Sequence, residues 1–136
     1  MRVWFLGLCG LFAPGWVTAE EAPSEHDWLV KHPTIQQLVE LTNQHRARMG
    51  RPPVRINAEL CLAAQRHATY MADTNWFRHS GLPWPEIIYA GPRQPQDAVN
   101  GWIYSPAHHA ILLTGTDVGF GYMVRNGQPY WVGLFR

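Results

Sequence analysis

Side chains suited to one buried face recur every three or four positions from Thr34 onward. In TIQQLVELTNQHRARMG they are Ile35, Leu38, Val39, Thr42 and Met49, the signature of an amphipathic helix. Thr34 is placed to cap it, with Gln37 in the capping-box position. Gly50 stops it, and Pro52-Pro53 bar its continuation. A second helix is predicted over AELCLAAQRHATYMADTNWF, with Asn57 as N-cap and Leu60, Ala64, His67, Ala68 and Met71 inward. The stretch 78–85 (RHSGLPWP) reads as a loop. Glu86-Ile87-Ile88-Tyr89-Ala90 is apolar and β-branched, a short strand or extended segment closed by Gly91-Pro92. PQDAVNGWIY reads as a short helix with Ala98, Val99 and Trp102 inward. Ser105 then starts another, as N-cap before Pro106 at N1, running through His108 to Leu113. The period changes to two at the end. Val118, Phe120, Tyr122 and Val124 alternate with Gly119, Gly121 and Met123, Asn126-Gly127 makes a hairpin turn, and Tyr130 to Phe135 returns. Glycines inside a strand imply that another backbone or a ring comes close.

Helices segregated from an antiparallel hairpin define an α+β fold, layered around one core. The chain has 136 residues, room for one domain. Residues 1–19 (MRVWFLGLCGLFAPGWVTA) read as a secretory signal, with Arg2 ahead of an apolar run and Val17-Thr18-Ala19 as the cleavage pattern. The polar stretch 20–33 reads as a linker, and 34–136 as the domain. Cleavage removes Arg2 and no acid, leaving ten basic and ten acidic side chains. That balance argues against nucleic acid and anionic membrane as partners. No segment after the leader is long enough to span a bilayer. Cleavage also removes Cys9. Cys61 is left alone among Leu and Ala, a buried apolar side chain with no internal disulfide.

The candidate chemistry lies in the irregular stretch and the helix after Ser105. His79, Glu86 and His108 offer two imidazoles and a carboxylate. That set can ligate zinc, transfer protons without a metal, or close the loop by hydrogen bonds among themselves. Their spacing meets no local metal motif. His108 falls at N3 of its helix, where the positive end of the dipole lowers an imidazole pKa. Ser105 near His108 is similar to a nucleophile and base, but capping accounts for it and no G-x-S-x-G elbow exists. His67 and His45 read as packing histidines, and His109 as outward-facing.

In order, these pieces resemble the CAP superfamily of cysteine-rich secretory proteins, antigen 5 and plant pathogenesis-related proteins (the SCP domain), especially its short bacterial secreted members. The likeness runs from about Thr34 to Phe135. LVELTNQHRARMGRPPVRINAEL is similar to the family's L-x-x-x-N-x-x-R-x-x-x-G-x-x-P-L stretch, with Asn43, Arg46, Gly50 and Pro53 in register. LAAQRHATYMADTNWFRHS is similar to A-x-x-H-A-x-x-M-A ending in F-x-H. GWIYSPAHHAILL is similar to W-x-x-S-P-G-H-R-x-x-I-L, and DVGFGY with PYWVGLF to the closing strands. The resemblance implies an α-β-α sandwich with a C-terminal antiparallel hairpin and a cleft holding His79, Glu86 and His108. Ser105 stands where animal members carry a second glutamate. The G-E-N-I segment reads Pro85-Glu86-Ile87-Ile88 here, without the glycine and the amide. It further implies a secreted or periplasmic, non-catalytic binding domain. Its cleft would take a divalent ion such as zinc, or a small apolar extracellular ligand such as a lipid or sterol. The alternative is a metal-dependent hydrolase or protease with His79 and His108 as ligands and Glu86 as general base.

Overall fold

The computed structural model describes residues 26–136. The leader 1–19, Cys9 and the first part of the stretch 20–33 lie outside the described residues. Helix α1 spans Asp27–Val30, and its Leu29 is buried in the core. Four residues give too short a period to read from sequence; one buried leucine fixes the turn to the domain.

Helix α2 spans Pro33–Arg48. Its cap lies earlier in the chain than expected. The Nδ1 of His32 accepts the Thr34 N–H at 3.2 Å, and Pro33 takes the first helical position, where a missing N–H costs nothing. Ile35, Leu38 and Thr42 face inward as expected, joined by His45 and Arg46. Met49 is exposed, because the helix has ended at Arg48.

After β1 (Arg55–Ile56) comes α3 (Ala58–Thr74), capped as expected by Asn57, whose Oδ1 accepts the Leu60 N–H at 3.0 Å. Then follow β2 (Glu86–Ala90), α4 (Pro95–Ile103), α5 (Pro106–Leu112), β3 (Asp117–Arg125) and β4 (Gln128–Phe135). The strands form one sheet in the order β1-β3-β4-β2. The pair β1–β3 is parallel; the others are antiparallel. Asn126 and Gly127 both take positive φ in the two-residue turn, the geometry that lets a hairpin close without splaying its strands.

Helix α3 covers one face of the sheet. Leu60, Ala64, Ala68 and Met71 pack on Ile88, Tyr130, Val132 and Leu134. On the other face Leu38, Val99, Trp102 and Leu112 pack with Phe120, Trp131 and Phe135. The result is an α+β fold with helices on both sides of a mostly antiparallel sheet. Gly119 and Gly121 face α3, where a Cβ on either would overlap the helix backbone at Leu60–Cys61 and Ala64–Gln65. This is the close approach that the strand glycines imply.

The motif residues of α2 are clamps. Asn43 donates its Nδ2 to Val54 O (3.1 Å) and accepts the Val54 N–H (2.8 Å), imitating a strand partner for the chain entering β1. Arg46, 2% exposed, donates to the carbonyls of Pro52, Leu112, Thr114 and Gly115 at 2.7–3.0 Å. One guanidinium thus ties the end of α2 to the loop after α5. Burial, and then the charge of Arg51, hold its pKa below the usual arginine value.

Candidate functional site

The loop between α3 and β2 brings the first two site residues together. Asn75 turns the chain out of α3 in a left-handed conformation, and its side chain accepts the Tyr130 hydroxyl at 2.8 Å. The start of the loop is thereby tied to β4. His67, 8% exposed, donates Nε2–H to Arg78 O at 2.6 Å and so pins the loop to α3. Glu86 begins β2 opposite Leu134, a register that turns its side chain to the α3 face. Its Oε1 accepts from His79 Nδ1 at 2.8 Å and from the Ser80 N–H at 2.9 Å. A carboxylate acceptor requires the proton on Nδ1, so Nε2 of His79 is left as the acceptor atom. The Glu86 side chain is 6% exposed and that of His79 62%. Oε2 of Glu86 is buried without a partner among the described residues.

His108 lies at N3 of α5, as the sequence implies. Its pKa is lowered, first by burial and then by the charge of His79. The direction agrees with the helix-dipole argument, but these two causes account for it. His79 is therefore close enough to act on His108 electrostatically. Beside His108 opens a cleft of about 550 Å³, lined also by Phe77, Ile88, Tyr89 and Ala90. His79 and Glu86 are not among the residues that line this hollow.

The remaining polar residues divide differently from expectation. Ser105 is at the N-cap position of α5, but its hydroxyl makes no capping hydrogen bond and does not line the cleft. His109 does not face outward. Its Nε2 shares a hydrogen bond of 2.8 Å with Nε2 of His45, joining α5 to α2. His67 is the packing histidine expected, stacked on Tyr70. Ser80, Phe77 and the β2 wall were not among the candidates. A large ring two residues before His79 was the only local signal for any of them.

As a metal set, the trio does not assemble. Among the described residues no three His, Cys, Asp or Glu side chains gather where one ion could be held. The reason is that Glu86 is turned into the loop, its Oε1 committed to His79 and Ser80. What the contacts do set is the His79 ring, whose Nδ1 is held by the Glu86 carboxylate. Such a carboxylate behind a ligating imidazole fixes its tautomer and raises its basicity.

A mixed sheet with helices on both faces and a histidine-bearing cleft at its edge defines an SCP-type domain. The profile of the Cysteine-rich secretory protein family (CAP) matches residues 39–135, and the chain belongs to that family. It is 29% identical over 107 residues to the uncharacterized protein YkwD of Bacillus subtilis strain 168. That alignment covers 65% of this chain and 42% of YkwD, so the chain spans under half of that relative. An outer surface protein of Borrelia burgdorferi superposes with a TM-score of 0.67 at 18% identity, covering 74% of this chain and 89% of that one. An extracellular SCP-domain protein of Bacillus anthracis superposes at 0.61 with 24% identity, covering 76% and 40%. Likenesses at this identity carry the fold, not an activity. Among the described residues no helix is long and apolar enough to cross a membrane.

Proposed function

We propose that this chain is a secreted, non-catalytic binding domain whose cleft beside His108 takes a small apolar ligand. A lipid or sterol is the class that fits. The observation that carries the reading is the cleft itself: about 550 Å³, with Phe77, Ile88, Tyr89 and Ala90 as walls and His108 as the polar group. That volume lies within the range of small-molecule sites, which are mostly apolar with a few polar groups that orient the ligand. The burial and the neighbouring histidine that lower His108's pKa favour a neutral imidazole, able to hydrogen-bond a hydroxyl or ligate an ion. A divalent ion, where bound, would be held by His79 and His108 and would give the ligand a Lewis-acidic contact.

Binding is favoured over hydrolysis by the state of Glu86. A general base must reach a water in the cleft. Here one oxygen accepts two hydrogen bonds and the other is buried. The test is fluorescence titration with a dansyl-labelled medium-chain fatty acid. Saturable binding, weakened tenfold or more in Phe77→Ala and His108→Ala, supports the reading; equal binding by both variants overturns it. Calorimetric titration with Zn²⁺ tests the ion separately. Heat lost in both His79→Ala and His108→Ala supports it, and no heat in the parent protein removes it.

A further inference from the structure

Outside the cleft, one pair of titratable side chains is not used by the binding site. His45 on α2 and His109 on α5 meet Nε2 to Nε2 at 2.8 Å, with ring centroids 4.9 Å apart and planes at 61°. A hydrogen bond between two imidazoles needs one N–H and one bare nitrogen, so a single proton lies between them. Neither Nδ1 has a partner among the described residues, and neither is sealed from water. Nothing therefore locks either tautomer, and both rings can carry their proton on Nδ1 and present a bare Nε2. Burial, then the charges of His109 and Arg48, hold the His45 pKa below the usual value, so this ring is neutral at neutral pH. The two rings are carried on elements already clamped together. Arg46, the residue after His45, donates to Leu112 and Thr114 O on the C-terminal side of His109. His109 is also a departure from the family's pattern, because W-x-x-S-P-G-H-R has arginine at its position. An arginine has no acceptor nitrogen to offer there.

We infer that His45 and His109 form a binding site for a divalent copper ion, held by their two Nε2 atoms across the seam between α2 and α5, with water in the remaining positions. The spacing selects the metal. Two nitrogens at neighbouring corners of a tetragonal ion, each about 2.0 Å away, lie about 2.8 Å apart, whereas at tetrahedral angles they lie about 3.3 Å apart. The observed 2.8 Å is the first of these, so Cu²⁺ requires a tilt of each ring and Zn²⁺ a wider seam. Tetragonal sites of nitrogen and oxygen are those of Cu²⁺ and Ni²⁺, and Cu²⁺ binds the more tightly. The shared proton passes through solvent to the Nδ1 of the ring that carried it. Two Cu–N bonds then form, two waters leave the ion, and no net proton is released. Charge works against the ion, since the guanidinium groups of Arg46 and Arg48 lie on the same turn of α2 as His45. No third His, Cys, Asp or Glu joins the pair among the described residues, so the ion keeps open positions and stays exchangeable. This site is separate from the His79 and His108 ion reading and does not rest on it.

Calorimetric titration with Cu²⁺ at pH 7.5 in a non-coordinating buffer, read beside electron paramagnetic resonance, tests this. The protein should take up one equivalent and give a single tetragonal spectrum with two equatorial imidazole nitrogens. Binding should weaken at least tenfold in His45→Gln and in His109→Gln, and should be lost in His109→Arg. It should be unchanged when His79 and His108 are both replaced by alanine. His45 is buried and His109 only half-buried, so His109→Gln, with its fold checked by circular dichroism, reports on the site even where His45→Gln unfolds the chain. The inference is overturned by any of four results. These are no uptake at one equivalent, a spectrum with a single equatorial nitrogen, equal binding by His109→Gln, or loss of binding in the His79 and His108 double variant. The last would assign the copper to the cleft.

Discussion

Replacing Glu86 by glutamine tests whether the site is built on a charge-assisted contact. Glu86 Oε1 receives two donors, the His79 ring and the Ser80 N–H, and Oε2 is buried alone. Hydrogen bonds to a charged group contribute about 1.5–3 kcal/mol, against about 1 kcal/mol for neutral ones. The Ser80 bond therefore loses about 1 kcal/mol in Glu86→Gln. The His79 bond loses less, about 0.5 kcal/mol, because its ring is 62% exposed and water screens the pair. The amide nitrogen must take the Oε2 position, where it is a buried donor without an acceptor, adding about 1 kcal/mol. Glu86→Gln should thus destabilise by about 2.5 kcal/mol, and His79→Ala by about 0.5 kcal/mol. Urea unfolding at pH 8, where a free imidazole is neutral, gives each value and the coupling from the double variant. The coupling should be about 0.5 kcal/mol and favourable, with most of Glu86's effect surviving in the His79→Ala background. Glu86→Gln as stable as the parent would refute the argument that the carboxylate organises the loop. A coupling of zero would refute the contact to His79.

The other expectations concern what holds the cleft's supports in place. Arg46→Ala strips four carbonyls of their donor at a buried site. Even at about 1 kcal/mol for each bond the loss is about 4 kcal/mol, a large fraction of a small domain's stability, and a fall in the thermal midpoint measures it. Gly121→Ala sets a methyl against the backbone of Ala64 and Gln65. Helix α3 must lift by about 1 Å to restore van der Waals separation, for a cost of about 2 kcal/mol in chemical denaturation. His45 has its pKa lowered by burial, then by His109 and Arg48, and His108 is lowered by burial and His79. Groups whose folded pKa lies below the unfolded value contribute stability that is full above about pH 6.5 and lost as pH falls through the folded values. The urea midpoint should therefore drop from pH 7.5 to pH 5, and His45→Gln should flatten that slope; an unchanged slope would contradict the arrangement around His45.

What was legible in the sequence follows the range over which each signal acts. Asn57, Asn126-Gly127 and the α3 periodicity are local, and the structure has each where the pattern puts it. His79 and Glu86 are seven residues apart across one loop, so their meeting could be expected from chain geometry. The pair of His45 and His109 spans 64 residues, and nothing near either one announces the other. Strand β1 is two residues long and exists because β3 offers it an edge, which no periodicity can show. Ser105 looked complete as a cap, yet the backbone position is filled while the hydroxyl does nothing there. Local propensity sets the turn; the side-chain bond depends on where α4 delivers the chain.

The departures from the family's pattern now have a physical meaning. Ile87 and Ile88 stand where the glutamate of that segment is usually followed by an amide and then an apolar residue, and they project to opposite faces of β2. Ile87 is sealed among the rings of one layer and Ile88 against α3, 0% and 5% exposed. The substitution at Ile87 is thus absorbed by the ring layer, and it costs the fold no buried polar group. What it removes is a side-chain amide from the edge strand beside the cleft. Ile87 does not line the cleft, so an amide at that position would lie in the ring layer and not before a ligand. The walls beside His108 are Phe77, Ile88, Tyr89 and Ala90, and the Ile88 carbonyl among them is already bonded by the Trp102 indole. The residues shared with the family, Asn43 and Arg46, fix the scaffold through carbonyls and an amide. Restoring the amide by Ile87→Asn should therefore damage stability far more than Ile88→Val, because it buries an unpaired polar group in the ring layer at a cost of about 2 kcal/mol or more.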